Sequence, residues 1–276
     1  MAKKKDHKSL RVIMIGAHPD DCELKAGATA ALWADQGAAV EFLSLSNGDA
    51  GHQEIGGAPL AKRRRAEAER SARILGISSQ ILSFHDGELT HRLEVRWEVI
   101  RAIRNWRADI VITHRPNDYH PDHRYTSQAV LDSAYLVLIP NICADVPPLK
   151  VNPVFLYFAD SFKKPNPFTP DVIVDATPAM DRKMKSLDTM DSQMYEWLPW
   201  VEGRLAELPK SKKGRMKWLH DFWEDHLTRS ASEYKELLAE RYGAKRAARV
   251  IYAESFELCE YGRQPSREEI WKMFPK

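Results

Sequence analysis

The most informative part of the sequence is Arg11-Val-Ile-Met-Ile-Gly-Ala-His18-Pro-Asp20-Asp21-Cys-Glu23. In it, an apolar run ends in an imidazole and three carboxylates. Residues 12–15 are apolar without alternation, which is typical of a strand buried on both faces. His18 and Asp21 stand three residues apart and Pro19 restrains φ between them, so one turn can bring a nitrogen and a carboxylate to the same cation. The stretch therefore predicts a strand whose end binds a metal.

A second stretch repeats this pattern about a hundred residues later: His114-Arg-Pro-Asn-Asp-Tyr-His120-Pro-Asp122-His123. It also follows an apolar run, at residues 110–113. Parallel sheets bind ligands beyond the carboxyl ends of their strands, and these ends meet at one edge. We therefore expect the two motifs to lie together.

Apolar runs alternate with helical patterns through the first two thirds of the chain. Strands are predicted at 12–15, 40–45, 81–84, 109–113, 155–158 and 171–175, and helices at 24–36, 59–75, 91–107, 125–139 and 178–194. This alternation predicts an α/β fold, a Rossmann-like parallel sheet with helices on both faces. We interpret residues 195–245 as an appended C-terminal helical segment and expect a last strand near 249–258. The whole of 1–276 is expected to form a single domain, with a basic tail at 1–9.

Composition narrows the class of partner and compartment. The 276 residues are 43% hydrophobic, which is enough for a sizeable core. With 41 basic and 39 acidic residues the net charge is only +2, which disfavours nucleic acid and membrane partners. The N-terminal residues lack the apolar segment of a secretory signal, and three distant cysteines do not form a disulfide framework. We expect a cytoplasmic protein.

The paired motifs resemble those of the PIG-L/LmbE family of zinc-dependent N-deacetylases. The resemblance rests on His18-Pro-Asp-Asp21-x-Glu23 and His120-Pro-Asp-His123, each after a strand, and covers roughly residues 10–190. It extends to Ser46-Asn47-Gly48-Asp49, Arg64-x-x-Glu67-Ala68, Leu75-Gly76 and Asp86-Gly87. At Lys25-Ala26-Gly27-Ala28 the chain departs from the family, in which a glycine-rich stretch is usual. The resemblance implies an N-acetylglucosamine-type sugar or glycoconjugate as the small-molecule substrate.

The predicted metal ligands are His18, Asp21 and His123. Two imidazoles and one carboxylate with an open fourth position are the set that catalytic zinc uses, so one Zn²⁺ per chain is expected, or another divalent metal. Zinc lowers the pKa of bound water from about 15.7 to near 7. Such a site predicts hydrolysis of the acetamide by attack of this water.

Three further residues are predicted to act in catalysis. Asp20, beside a ligand, is placed to act as the general base that takes a proton from water and gives it to the leaving amine. His120 could donate to the oxyanion of the tetrahedral intermediate. Asp122 could orient His120, as carboxylates commonly orient imidazoles.

Substrate contacts and assembly are less constrained by the sequence. Arg64, Asn47 and Asp49 are candidate substrate-binding residues. For Arg64, an exposed helix arginine is as plausible as contact with substrate oxygens or with a loop carboxylate. Glu23 is expected either to support the site from behind or to begin a helix. The tryptophans between 197 and 223 indicate core or a subunit interface more than a sugar platform, so a homo-oligomer is expected.

Two alternative functions compete with the deacetylase. A nucleotidyltransferase-like, nucleotide-binding enzyme would bind triphosphate at a strand-end His-x-x-His, but Asp122 would place a carboxylate beside it. A catalytically inactive metal-binding protein would not need Asp20 and His120, both of which are present. Release of acetate from N-acetyl amino sugars distinguishes all three.

Overall fold

The structure is a computed structural model that describes residues 9–276, so the predicted basic tail lies outside it except for Ser9. Within these residues the strands are β1 (Arg11–Gly16), β2 (Ala39–Ser46), β3 (Ser78–Phe84), β4 (Ile110–Thr113), β5 (Val154–Phe158), β6 (Val172–Asp175) and β7 (Ala253–Gly262). The α-helices are α1 (Asp21–Asp35), α2 (Gly57–Leu75), α3 (Leu93–Trp106), α4 (Pro121–Leu136), α5 (Met180–Leu187), α6 (Leu198–Val201), α7 (Lys212–Glu233), α8 (Lys235–Tyr242), α9 (Ala244–Ala247) and α10 (Arg267–Met273). None of the helices in this part of the chain is both long and apolar enough to cross a membrane.

The seven strands form one sheet in the order β3-β2-β1-β4-β5-β7-β6. β1 pairs in parallel with β2 and with β4, whereas β7 runs antiparallel to both β5 and β6. The chain moves outward from β1 to β3 and then returns to β4, so the strand order reverses between β1 and β4. A crevice forms at such a reversal, and both motifs follow the two strands that flank it.

Helices cover both faces of this sheet, which confirms the predicted fold class. On β1, Val12 and Met14 face one core with the apolar side chains of α1, α2, α5, α7 and α10. Ile13 and Ile15 face the other core with those of α3 and α4. Because β1 is buried on both faces, its apolar run does not alternate with polar residues.

Two predicted helices differ from those in the structure. α4 begins at Pro121 rather than after His123, because proline is tolerated at the first helical position and the His120 ring accepts a hydrogen bond from the backbone N–H of Asp122. The helix predicted at 178–194 is divided into a 3₁₀ turn (Thr177–Ala179), α5 and a π-helical turn (Ser192–Trp197). The Ser186 and Thr189 hydroxyls donate to backbone carbonyls where α5 ends, which competes with regular helical bonding.

A kink in α1 sets the direction of its first turn. Ala26 has φ −148° and ψ 17°, outside the helical region. Glu254 of β7 accepts hydrogen bonds from the backbone N–H groups of Ala28 (3.1 Å) and Thr29 (2.6 Å), and so caps the second part of the helix. Lys183 of α5 donates to the Leu24 carbonyl and to Glu254, both at 2.7 Å. The first turn, which carries Asp21, is therefore held by a buried ion pair from α5 and β7.

Candidate active site

The two motifs lie at the carboxyl ends of neighbouring strands, as the sequence predicted. His18 follows β1, and His120 and His123 lie at the start of α4 beyond β4. All three line a cavity of about 620 Å³, together with Asp20 and Asp21. The fold thus brings residues about a hundred positions apart into one site.

Asp21 lies at the centre of the cluster. Its Oδ2 accepts hydrogen bonds from the backbone N–H groups of Ala17 (2.8 Å) and His18 (2.7 Å). His123 Nε2 lies 3.2 Å from Oδ1 and His114 Nε2 lies 3.1 Å from Oδ2. Burial raises the pKa of Asp21, but the nearby His123 and His114 outweigh burial and hold this pKa well below its usual value. Asp21 is therefore ionised at neutral pH.

Asp118 orients the ring of His123. Its Nδ1 lies 3.0 Å from Asp118 Oδ1, which leaves Nε2 directed to Asp21. Its ring stacks on that of His114 with centroids 4.1 Å apart and planes 8° from parallel. Burial lowers the pKa of His123, but Asp21 and Asp118 together raise it to about 9. A carboxylate on the far nitrogen is the common support of a metal-binding histidine.

His18 has a buried nitrogen without a hydrogen-bond partner. Nε2 lies 3.1 Å from Asp86 Oδ1 and 3.4 Å from Asp122 Oδ2, but not in hydrogen-bonding geometry. Nδ1 lies 3.5 Å from Asp21 Oδ2. Burial lowers the pKa of His18, whereas Asp122, Asp21 and Asp86 outweigh burial and hold it well above its usual value.

These residues fit a divalent cation. Among residues 9–276, three overlapping groups have ligand atoms within 4.8 Å of one another: His18, His120 and His123; Asp21, His114 and His123; and His18, Asp86 and Asp122. Each of the predicted ligands His18, Asp21 and His123 belongs to at least one of these groups, but none of the groups contains all three. His120 accompanies His18 and His123, and His114 accompanies Asp21 and His123. Neutral imidazoles and carboxylates are suitable donors for zinc and similar ions, and a positive ion would compensate the several buried carboxylates. The site can therefore bind a metal.

Asp20 stands apart from this cluster and faces a different partner. Its Oδ1 lies 3.2 Å from Nη2 of Arg64. Burial raises the pKa of Asp20 although Arg64 opposes this effect. Asp20 is therefore a buried carboxyl in the cavity wall, outside all three potential ligand groups.

Arg64 is not an exposed helix arginine. It is only 2% exposed and lines the cavity. Its guanidinium donates to the carbonyls of Gly48 (3.2 Å) and Pro19 (3.3 Å) and lies 3.6 Å from Asp86. Of the two interpretations of Arg64, the structure supports contact with the carboxylates of the loops.

The expected orientation of His120 by the Asp122 carboxylate is wrong. That carboxylate is fully buried and accepts hydrogen bonds from the backbone N–H groups of Gly87 (2.7 Å) and Leu89 (3.2 Å). The His120 ring contacts the main chain instead, because the backbone N–H of Asp122 donates to its Nδ1 at 3.1 Å. Asp122 thus ties the loop after β3 to α4, and its carboxylate lies closer to His18.

Asn47 and Asp49 do not line the cavity within the described residues, in contrast to Arg64. Asp49 accepts hydrogen bonds from His85 Nδ1 (2.7 Å) and the Asp86 backbone N–H (3.1 Å), and Asn47 bonds to Asp49. These contacts brace the loop that carries Asp86. The prediction of direct substrate contact is therefore not supported for these two residues.

Sequence reasoning missed His114 and Asp118 and gave Asp86 no role. His114 directly follows β4 and Asp118 stands five residues before His123, so their positions after a strand end were the available signal. Glu23 supports the site from behind, which was one of its two expected roles, and Cys22 lies next to it. The Cys22 thiol is buried behind the loop, and Glu23 accepts a hydrogen bond from Ser71 at 3.1 Å.

Comparison with known proteins gives a consistent result. The family model "PIG-L: GlcNAc-PI de-N-acetylase" matches residues 13–134. Diacetylchitobiose deacetylase of Thermococcus kodakarensis is 34% identical over 203 residues, which cover 69% of this chain and 73% of that protein. The structure of N,N'-diacetylchitobiose deacetylase from Pyrococcus horikoshii with its inhibitor MPG superposes with a TM-score of 0.69 at 26% identity, over 90% of this chain and 83% of that one.

A further relative carries a different name. The 4-oxalmesaconate hydratase of Pseudomonas putida is 24% identical over 193 residues, which cover 67% of this chain and 74% of that protein. The likeness therefore extends across proteins with different reactions. The family model matches this chain, a relative is 34% identical over most of it, and the fold is shared. This chain therefore belongs to the PIG-L family.

Proposed function

We propose that this protein is a zinc-dependent deacetylase that hydrolyses the acetamide of an N-acetylated amino sugar or glycoconjugate to acetate and a free amine. The observation that carries the proposal is the meeting of His18, Asp21 and His123 with Asp20 and His120 at one cavity. The relative named diacetylchitobiose deacetylase supports the same class of substrate.

His18, Asp21 and His123 would hold the ion. A divalent ion bound there supplies a Lewis acid that polarises the acetamide carbonyl and lowers the pKa of water. Zinc is proposed because two nitrogens and one carboxylate are a typical catalytic zinc set. Asp118 and His114, which contact His123 and Asp21, would keep these ligands in place.

Asp20 is the proposed general base. It is buried in the cavity wall, outside the potential ligand groups, and Arg64 holds it at 3.2 Å. In this position it accepts a proton from the attacking water and passes it to the amine nitrogen as the C–N bond breaks. Burial raises its pKa, which makes the carboxylate a better proton acceptor.

His120 is the proposed donor to the oxyanion. Because its Nδ1 accepts the Asp122 backbone N–H, the neutral ring carries its proton on Nε2. Burial, His18 and His123 lower the pKa of His120, so the ring is neutral at pH 7. A neutral Nε2–H can stabilise the developing negative charge without transferring its proton.

Release of acetate tests this function directly. We expect the zinc-loaded protein to release acetate from at least one of a panel of N-acetylated amino sugars, and a chelator to abolish the release. Because fold alone does not select a reaction, 4-oxalmesaconate is included as the competing substrate. Its hydration without any acetate release would refute the proposal. A catalytically inactive metal-binding protein would carry out neither reaction. A nucleotidyltransferase-like enzyme is disfavoured because the buried carboxylates of Asp86 and Asp122 would repel a triphosphate at this edge of the sheet.

Self-association stays a prediction, as do the single domain over 1–276 and the cytoplasmic location. Self-association is supported by an exposed apolar surface at Trp200 (49% exposed) and Val201 (57% exposed), between residues 197 and 223 where the tryptophans cluster. Light scattering that shows a monomer at micromolar concentration would contradict it.

A further inference from the structure

The cavity extends beyond the residues that the proposed reaction uses. Part of its wall comes from α7 and includes Trp223, His226, Arg229 and Ser230, while Lys25 is contributed by the first turn of α1. Lys25 belongs to the stretch that departs from the usual family pattern. None of these side chains has a part in the hydrolysis, so their chemistry needs a separate explanation.

Within the described part of the chain, Lys25 and Arg229 are cations without an ion-pair partner. Elsewhere in the cavity wall, Arg115 lies 3.0 Å from Asp160 and Lys183 lies 2.7 Å from Glu254. By contrast, no carboxylate within residues 9–276 lies within 4 Å of Lys25 or Arg229. Lys25 Nζ donates to the carbonyl of Ala159 at 3.0 Å. Burial lowers the pKa of Lys25, and the carboxylates of Asp118, Asp160 and Asp21, each more than 4 Å away, oppose this effect. Both side chains are partly buried, so water compensates their charge less well than at an open surface.

His226 connects the two cations: it contacts the carbonyl of Leu24, the chain neighbour of Lys25, and it stands three residues before Arg229 on α7. Burial is the main cause that lowers the pKa of His226 to about 3, and Lys25, Lys183 and Arg229 lower it further. An imidazole that responds to all three cations lies within the electrostatic reach of each. Its Nε2 lies 3.3 Å from the Leu24 carbonyl. Glu254 pairs with Lys183, so among the described residues Lys25 and Arg229 are the cations beside His226 that have no carboxylate within 4 Å.

Neutral donors accompany these cations. The Ser230 and Ser255 hydroxyls lie 2.9 Å apart and share one hydrogen bond, and the indole N–H of Trp223 is buried without an acceptor. Glu233, one turn after Arg229 on α7, also lines the cavity but lies more than 4 Å from the guanidinium. This part of the wall thus adds an unsatisfied indole N–H to the two cations, and such donors can bind an anion.

We infer that the cavity contains a second subsite, at Lys25 and Arg229, which binds a carboxylate or phosphate carried by the substrate. The inference rests on the proposed function, because it narrows the substrate class to N-acetylated amino sugars with an anionic substituent. The acetamide would lie at His18, Asp21 and His123 while the anionic group binds the two cations.

Matched probes that differ in charge test the subsite. The zinc-loaded full chain is assayed for acetate release from N-acetylglucosamine, N-acetylglucosamine 1-phosphate and N-acetylmuramic acid, which are neutral, phosphorylated and carboxylated. Dissociation constants for the same probes are measured by calorimetry on the Asp20→Asn variant. We expect kcat/KM and affinity to be higher by about 10-fold or more for a charged probe, the gain from one charge-assisted hydrogen bond. The charged probe that is preferred identifies phosphate or carboxylate as the ligand.

Variants locate the effect. Lys25→Met and Arg229→Met should each reduce the ratio of charged to neutral kcat/KM by about 10-fold, whereas Lys25→Arg keeps it. Lys217→Met is the matched control, since this exposed lysine of α7 pairs with Asp221 and lies outside the cavity. If a variant does not fold, the salt dependence of binding to the wild-type protein tests the subsite instead. Raising the NaCl concentration should weaken binding of the charged probe and leave the affinity for the neutral probe unchanged.

The outcomes separate the two proposals. Equal kcat/KM and equal affinity for charged and neutral probes, without salt dependence, would overturn the anionic subsite and leave the deacetylase intact. Tighter binding of a charged probe that depends on Lys25 and Arg229, without acetate release from any probe, would support the subsite and overturn the deacetylase.

Discussion

Arg64 Nη2 lies 3.2 Å from Asp20 Oδ1 in a setting from which water is almost excluded. The same guanidinium lies 3.6 Å from Asp86 and donates to two backbone carbonyls. One side chain from α2 therefore fixes the proposed base relative to the loops after β1 and β3. This relationship makes Arg64 the most informative residue to change outside the metal-binding cluster.

Arg64→Met should lower activity and shift its pH dependence. Arg64 lowers the pKa of Asp20, which burial raises, so removing the cation raises this pKa further. A carboxylate base acts only when deprotonated, and the acid limb of the pH–rate profile should move to higher pH. Breaking a buried ion pair should also cost about 3 kcal/mol of stability. Arg73→Met, at an exposed position of the same helix, is the control. An acid limb that does not move would argue against Asp20 as the base.

Asp20→Asn and Asp21→Ala should fail in different ways. The first variant keeps its shape but cannot accept a proton, so metal content should persist while turnover falls by about 10²–10⁴. The second removes a proposed ligand that contacts His123 at 3.2 Å, so metal content itself should fall. Elemental analysis and acetate release measure the two effects. Equal loss of metal in both variants would show that the roles are wrongly assigned.

The two histidines of the second motif should also differ. His123→Ala removes a proposed ligand and should empty the site, because two remaining protein ligands hold an ion poorly. His120→Ala should keep the metal and the affinity for substrate while turnover falls by about 10²–10³, as when one oxyanion donor is lost. Metal content and kcat, measured on both variants, distinguish the ligand from the oxyanion donor. The reverse pattern would identify His120 as the ligand.

Lys183 should stabilise the fold by compensating the buried charge of Glu254. Lys183→Met leaves Glu254 buried with only its two backbone donors, so the free energy of unfolding should fall by about 3–5 kcal/mol. Adding Glu254→Gln should restore part of the loss, because the uncompensated charge is gone. Urea unfolding measures both, with Lys185→Met at an exposed position of α5 as the control. Additive losses would contradict coupling between the two residues.

Glu41 on β2 should make stability depend on pH. Burial raises its pKa to about 7 although Arg11 opposes this effect, whereas in the unfolded chain it is about 4.3. The folded state therefore binds the proton more tightly, and stability falls as pH rises between these values. Glu41→Gln should raise the free energy of unfolding by about 1 kcal/mol at pH 8, less than a fully buried carboxyl would give. The gain should be smaller at pH 5. Equal gains at both pH values would contradict the shift.

The order of strands and helices around the first motif could be predicted from the sequence, because the spacing of apolar residues shows which faces of an element are buried. The uninterrupted apolar run before His18 required a strand covered on both faces, and the rule for parallel sheets then placed His18 and His120 at one edge. The direction of β7 could not be predicted in this way. An apolar strand pattern is the same whether its neighbours run parallel or antiparallel, and only the path of the chain after α9 decides.

By itself, the sequence determined the fold class, the meeting of the two motifs and the identity of His18, Asp21 and His123 as neighbours, because each follows from local patterns and one rule of topology. Only the tertiary structure decided which partner each site residue contacts. Asp118 orients His123, and the Asp122 carboxylate binds the loop after β3 instead of His120. Arg64 is buried against Asp20. Such contacts depend on side-chain directions across separate elements, which spacing along the chain does not specify. The pairing of Lys183 with Glu254, from α5 and β7, was hidden for the same reason.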